Sequence, residues 1–341
     1  MISISIFLIF VSLLFKNSKF LTILILVYCW VLFGFNTMNG DYDLYERMYN
    51  GAKSAKSIFS YEAGYNLLMY LGNLFGFTFQ IFFKVIAAFI LTVLGVFSFK
   101  FSRYSALFVS VFLAVYLPIE YVLLRNFLSF SIVLIGIIAF LKNQERGKFL
   151  LLVSILIATT VHISSIFYFL IYFAFLYKNI KPEKVFLLTL IGLFAFTIGD
   201  SLLIGILKDT GGRGTMYLTR FPQFLLYTFF QIGNYFLIHW YFKSNISINP
   251  DLKKVIIAIN LYLVFLVILY FNYAIFIRIF LNISLVNVLF MLNHVNFKFK
   301  RGGERLIVLV LYLAFFFFEF VFPVMKDSLD AMYENNNFFY E

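Results

Sequence analysis

The sequence predicts an all-α, polytopic membrane protein with about 12 transmembrane helices. Hydrophobic residues make up 63% of the chain and charged residues only 13%, whereas a soluble domain is roughly half apolar and a quarter charged. Fifty Phe and 23 Tyr are more than one aqueous core can hide, and lipid tolerates such residues on the outside of a protein. Apolar runs of roughly 15 to 23 residues also recur along the whole chain, close to the ~20 helical residues that cross ~30 Å of hydrocarbon.

The first run, 2 to 15, has the length of a signal-peptide core. It lacks a basic region before it and a small-residue cleavage site after it, so it reads as a retained span. Lys16 and Lys19 separate it from the run 20 to 36, which holds the single cysteine, Cys29; an intramolecular disulfide and a Cys-based metal cluster are thereby excluded. A long polar stretch follows, then runs at 79 to 99 and 104 to 118, separated by Lys100 and Arg103. The run 126 to 141 begins just after Arg125, and Lys142, Arg146 and Lys148 lie between it and the run 149 to 161. Only His162 stands between that run and 163 to 176. Lys178, Lys181 and Lys184 precede 185 to 207, and the remaining runs are 224 to 242, 255 to 271, 277 to 292 and 306 to 322. The pairs around His162 and around Asn272 have almost no loop. Each is either two half-helices or one interrupted segment, which membranes allow where the backbone faces protein or water.

Alternate numbering of the connections puts 17 of the 27 basic residues on one side, from Lys16 and Lys19 to Lys298, Lys300, Arg301 and Arg305. That side is expected to be cytoplasmic. The net charge of +11 therefore points to topology and anionic lipid, not to nucleic acid. Both termini then face outward, as do the long connections 37 to 78 and 208 to 223 and the tail 323 to 341 of a single integral domain, 1 to 341. Loops on a rigid scaffold usually carry chemistry, so the working face is expected to be extracytoplasmic. This argues against an enzyme fed by ATP or a nucleotide-sugar from the cytosol. Gly211-Gly212-Arg213-Gly214 lacks the ending and the preceding strand of a phosphate loop, and it reads as a flexible turn.

Arg125, His162 and Arg278 each fall where an apolar segment meets this outer face. An ionisable group beside hydrocarbon costs at least ~2.5 kcal/mol, which makes function the default reading; the plain alternative is a snorkelling side chain. In Asn39 to Tyr49, followed by Tyr61 to Tyr65, acidic groups and tyrosines at three- and four-residue spacing are expected to share a helical face suited to sugar hydroxyls. Asp41, Tyr45 and Glu62 belong to this set; an interfacial aromatic belt with solvated carboxylates is the alternative. Asp41 and Asp43 lack the further ligands of a calcium loop. The Arg125 fork suits bidentate contact with a diphosphate, and Arg278 repeats the arrangement. The other histidines, His239 and His294, sit near cytoplasmic ends, where capping or snorkelling suffices. With no HExxH pair, no metal is expected.

The order of an outer Asp/Tyr loop with Glu62-Ala63-Gly64-Tyr65, then Arg125-Asn126-Phe127-Leu128-Ser129, then His162-Ile163-Ser164 resembles the EpsG family of bacterial exopolysaccharide proteins. That family is grouped with the Wzy-type O-antigen and capsule polymerases. The likeness is clearest over 37 to 177, with Arg278 as a weaker echo, and the family more often has Arg-Gln where this chain has Arg125-Asn126. The resemblance implies a GT-C-like architecture and a metal-independent glycosyltransferase without a cofactor. It would join undecaprenyl-pyrophosphate-linked repeat units into O-antigen, capsule or exopolysaccharide at the outer face of the bacterial inner membrane. Under that reading Arg125 and Arg278, helped by Arg213 and Arg220, stabilise the leaving diphosphate. His162, Glu62 and Asp41 are candidates for the base; His162 ranks first, because an ordinary imidazole pKa near ~6.5 suits proton transfer at neutral pH. Asp41, Tyr45, Asn126 and Ser164 would bind substrate. The implied partners are the lipid-linked oligosaccharides, membrane lipids, a flippase and a chain-length regulator.

Two other classes fit the same residues. A lipid-linked oligosaccharide flippase would place substrate groups near the midplane and often shows internal repeats, whereas here only Asp200 and Glu319 look intramembrane, both toward outer ends. A membrane O-acyltransferase could use His162 as base, but a cytoplasmic acyl donor calls for entry from the opposite face.

Overall fold

The computed structural model describes residues 1–59, 61–194, 221–243, 250–269, 273–295, 297, 303–317 and 329–339. Among them the chain is all-helical and contains no strand; one isolated bridge pairs Asn36 with Asn336. The helices follow the apolar runs. They are α1 (Ile2–Leu14), α2 (Lys19–Gly34), α3 (Tyr42–Gly51), α4 (Ala63–Leu74), α5 (Phe79–Phe101) and α6 (Ser105–Glu120). Next come α7 (Leu124–Lys142), α8 (Gln144–Val161), α9 (Ile163–Leu176), α10 (182–194), α11 (Phe221–Lys243), α12 (Pro250–Tyr262), α13 (Tyr273–Asn293) and α14 (Gly303–Phe316). Among the described residues, three helical stretches are long and apolar enough to cross a membrane: α5, α7 and Ile275–Asn293 of α13. Shorter apolar helices are α1, α2, α6 and α9.

Local chemistry sets several starts. Ser18, Thr78 and Asn143 each turn a side-chain oxygen onto the first free N–H groups of α2, α5 and α8, at 3.1 to 3.3 Å. The junction at His162 is two helices: α8 ends there in extended backbone, and α9 begins as a 3-10 turn over Ile163–Tyr168. The long stretch 37 to 78 is folded, since α3, a 3-10 turn at Ala55–Phe59 and α4 occupy most of it.

The chain forms two compact units, Met1–Ile166 with Val288–Glu341, and Phe167–Asn287. In the first, α7 and α8 form a tight antiparallel hairpin about Asn143. Gly136 makes this possible: a Cβ there would come within 2.7 Å of the Leu151 Cα, so only a glycine lets the two backbones approach. Small hydroxyls join α1, α2 and α6, with Ser12 to Ser110 at 2.7 Å and Thr22 to Ser105 at 2.9 Å. In hydrocarbon such hydrogen bonds hold helices where no hydrophobic drive exists between them. Part of the expected tail, 329–339, docks on the end of α2, where the Asn336 amide donates to the Val31 carbonyl at 2.9 Å and the Asn337 N–H to Phe35 at 3.0 Å. An apolar groove of about 310 Å³ between α2 and α5, walled by Leu26, Trp30, Leu91 and Gly95, contains none of the candidate site residues.

In the second unit α11 and α13 run parallel, as the ring contacts Tyr227 to Phe276 and Phe230 to Phe280 advance together along both helices. Asn234, Asn260 and Asn287 form a buried amide chain at 2.8 to 3.0 Å across α11, α12 and α13.

Candidate active site

The α7–α8 hairpin carries Lys142, Arg146 and Lys148 near its Asn143 turn. Its other end, where α7 opens and α8 closes, gathers a different set. Glu62 stands just before α4 with φ 61° and ψ 56°; among the described residues no other non-glycine residue has a positive φ. A left-handed glutamate costs of order 1 kcal/mol and persists only where surrounding contacts demand it. Those contacts are three hydrogen-bond donors. Arg125 Nη1 donates to Oε2, while Oε1 accepts from His162 Nδ1 at 2.5 Å and from the Ile163 N–H at 3.2 Å.

The carboxylate side chain is only 2% exposed, so it needs this pairing. Burial alone would raise its pKa. The His162 hydrogen bond, the Arg125 charge and the Ile163 N–H outweigh that and hold the carboxyl below its ordinary value. Glu62 is therefore held as an anion by three donors.

Because an ionised carboxylate only accepts, the Nδ1 of His162 carries the hydrogen, and the basic nitrogen of the neutral ring is Nε2. This is the relation in which a carboxylate sets the tautomer of a histidine base. Arg125 lies beside a pair of tyrosine rings, with its Cζ 5.4 Å from Tyr45 and 5.9 Å from Tyr65. Rings at that range attract the cation and limit its motion. Burial pushes both phenols up, against the lowering effect of Arg125, and they stay protonated.

The remaining expected residues divide. Asn126 and Ser164 flank the cluster in sequence; both are buried, with side chains that make no hydrogen bond. Asp41 stands one turn before Tyr45 and its N–H donates to Asn39 Oδ1 at 3.0 Å. Along α3 two of the acids part from the tyrosines. Tyr42, Tyr45 and Tyr49 are buried, while Asp43 is exposed and Glu46 half-buried. Tyr42 and Tyr49 pack on Phe79 and Phe83 or Phe82, and Tyr49 donates to the Phe77 carbonyl, because three- and four-residue spacing placed the large rings inward. Arg278 belongs to the second unit, on α13, where its carbonyl accepts from Asn282 at 2.9 Å. Arg213, Arg220, Asp200 and Glu319 lie outside the described residues.

Three residues take places in the structure that sequence reasoning had not given them. Gly64 lets α4 lie against α8 at Thr160, Tyr65 faces the Arg125 guanidinium, and Glu120 ends α6 completely buried. The Glu62-Ala63-Gly64-Tyr65 run carried the signal for the first two, and an acid closing an apolar run carried it for the third. At His294 burial, then Arg305 and Arg103, push the pKa down to about 4.

Apolar helices surrounding a buried Glu-Arg-His cluster define an integral membrane protein with a polar site at one end of its helices. The chain belongs to the EpsG family, whose model matches residues 18–339, nearly its full length. EpsG proteins are Wzy-type and polymerase-like, so the membership supports a polysaccharide-polymerase-like role in the membrane. No curated protein and no solved structure matches the chain.

Proposed function

We propose that the protein is a lipid-linked oligosaccharide polymerase: a glycosyltransferase of the bacterial inner membrane, with about 12 spans in a GT-C-like arrangement. Its substrates are repeat units on undecaprenyl pyrophosphate, and its product is O-antigen, capsule or exopolysaccharide. The observation that carries the reading is the Glu62 carboxylate, which holds Arg125 and His162 on one anion.

In the reaction, a hydroxyl oxygen of the incoming unit attacks the anomeric carbon of the growing chain. The C–O bond to the diphosphate breaks with its electron pair, and undecaprenyl pyrophosphate leaves as an anion. His162 Nε2 takes the hydroxyl proton, with Nδ1–H held by Glu62. Arg125 stabilises the charge that grows on the leaving diphosphate, as a preorganised donor does best in a water-poor site. Its side chain is 20% exposed, so it is less sealed than the 2% exposed Glu62 it pairs with. Arg278, Arg213 and Arg220 are further diphosphate ligands in this scheme, and Tyr45 acts through Arg125. The basic α7–α8 turn supports an orientation with the cluster on the outer face. A flippase that delivers units and a chain-length regulator are the expected partners.

The test supplies purified protein in liposomes with lipid-linked repeat units and no nucleotide-sugar. A ladder of longer glycans is expected. Units that cross the membrane without lengthening would identify a transporter instead.

A further inference from the structure

Beside the Glu62 cluster lies a second group of polar side chains that Arg125 and His162 do not satisfy. Glu120 is 0% exposed and neither carboxyl oxygen makes a hydrogen bond; Asn126 is 2% exposed and neither amide atom makes one. The two side chains are neighbours, but their geometry falls short of a bond. Arg125 Nε and Ser164 Oγ are likewise buried without a partner. Native proteins leave few such atoms, since each costs about 1 to 3 kcal/mol, and this unmet demand calls for an explanation.

The backbone presents these groups deliberately. Inside α6 the run Phe112–Tyr116 is π-helical, with the Leu117 N–H reaching back to the Phe112 carbonyl, and Pro118 follows at the start of the last turn. A π turn inserts an extra residue and rotates everything after it, and such turns concentrate at functional sites. Here it lies in the helix that ends with Glu120 wholly inside. The turn at Tyr121 to Leu123 then leads directly into α7, bringing Arg125 and Asn126 to the same end. Ser129, one turn further, anchors α9 through Ser165, the residue after Ser164, at 2.8 Å.

We infer that Glu120, Asn126, Arg125 Nε and Ser164 form a subsite for vicinal hydroxyls of the acceptor sugar, closed in this structure and filled when the unit binds. The chemistry matches. A carboxyl and an amide oxygen accept from hydroxyls, while an amide NH₂, a guanidinium N–H and a serine hydroxyl donate to them. Sugar hydroxyls do both, which neither a phosphate nor an acyl chain does. The inference rests on the polymerase reading and names where that reaction holds its nucleophile.

The experiment compares wild type, Glu120→Gln, Glu120→Met and Asn126→Leu, each purified in detergent, by thermal unfolding with and without the lipid-linked repeat unit and by ladder formation at varied unit concentration. An apolar side chain removes buried unmet polar groups, so Glu120→Met and Asn126→Leu should melt at or above the wild-type temperature while ligand-induced stabilisation is lost. Glu120→Gln should raise the KM for the acceptor about tenfold or more with a smaller change in kcat. A wild-type KM in Glu120→Gln, or lowered melting temperatures for Glu120→Met and Asn126→Leu, would overturn the subsite and make the pair structural. If wild type forms no ladder, the polymerase reading falls alone. The ligand-induced shift then decides the subsite: lost in Glu120→Met it stands, retained it is refuted.

Discussion

Gly64 of α4 lies directly against Thr160 of α8: a Cβ at Gly64 would overlap the Thr160 hydroxyl and reach 3.0 Å from its carbonyl carbon. Glu62 is two residues before that contact and His162 two residues after it. The closeness of α4 and α8 thus sets the distance between the carboxylate and the imidazole. Gly64→Val should push the helices apart, cost about 1 to 3 kcal/mol and abolish chain growth. Unfolding in detergent and the ladder assay check this; a fully active Gly64→Val would separate the contact from the site.

The left-handed backbone at Glu62 gives a second expectation. With the carboxylate gone, glycine fits φ 61° and alanine does not. Glu62→Gly should therefore be about 1 kcal/mol more stable than Glu62→Ala, and both should be inactive. Melting temperatures of the two variants measure the difference. Equal values would mean that the loop relaxes once the anion is removed.

Arg125 and His162 are expected to differ in kind. Arg125→Lys replaces a planar fork held against Tyr45 and Tyr65 by a point charge, and turnover should fall roughly a hundredfold or more. His162→Gln can still donate to Glu62 but cannot accept a proton, so turnover should fall by ~10²–10⁴ with little change in melting temperature. Wild-type rates in His162→Gln would remove the base role.

Stability should fall on the acid side. The Glu62 carboxyl is held below its ordinary value, so as pH drops the unfolded chain takes up this proton before the folded one. The contribution is complete above the ordinary Glu value of ~4.3 and is lost as pH falls through the lower folded value. Wild type should lose stability more steeply than Glu62→Gln over that range. Parallel unfolding curves would show that the ion pair adds nothing.

Most of the scaffold was legible beforehand because hydrocarbon is a demanding solvent. Every spanning segment must satisfy its own backbone, so apolar runs such as 79 to 99 and 126 to 141 could only become helices, and α5 and α7 match them closely. The same logic marked Arg125 and His162 as exceptional before any contact was known. The tyrosines misled because spacing shows which side chains share a face without showing what that face meets. Tyr42 and Tyr49 met Phe79 and Phe82.

By itself the sequence determined the class of the protein, the sites of its helices and the short motifs that place it in the EpsG family. Tertiary structure alone decided that one carboxylate, 63 residues from Arg125 and 100 from His162, holds both, and that Glu120 is sealed beside Asn126. The physical reason is range. Burial in lipid acts on each segment separately and is written in local composition, whereas pairing of buried charges depends on how closely distant backbones approach, which here depends on a glycine with no side chain to announce it.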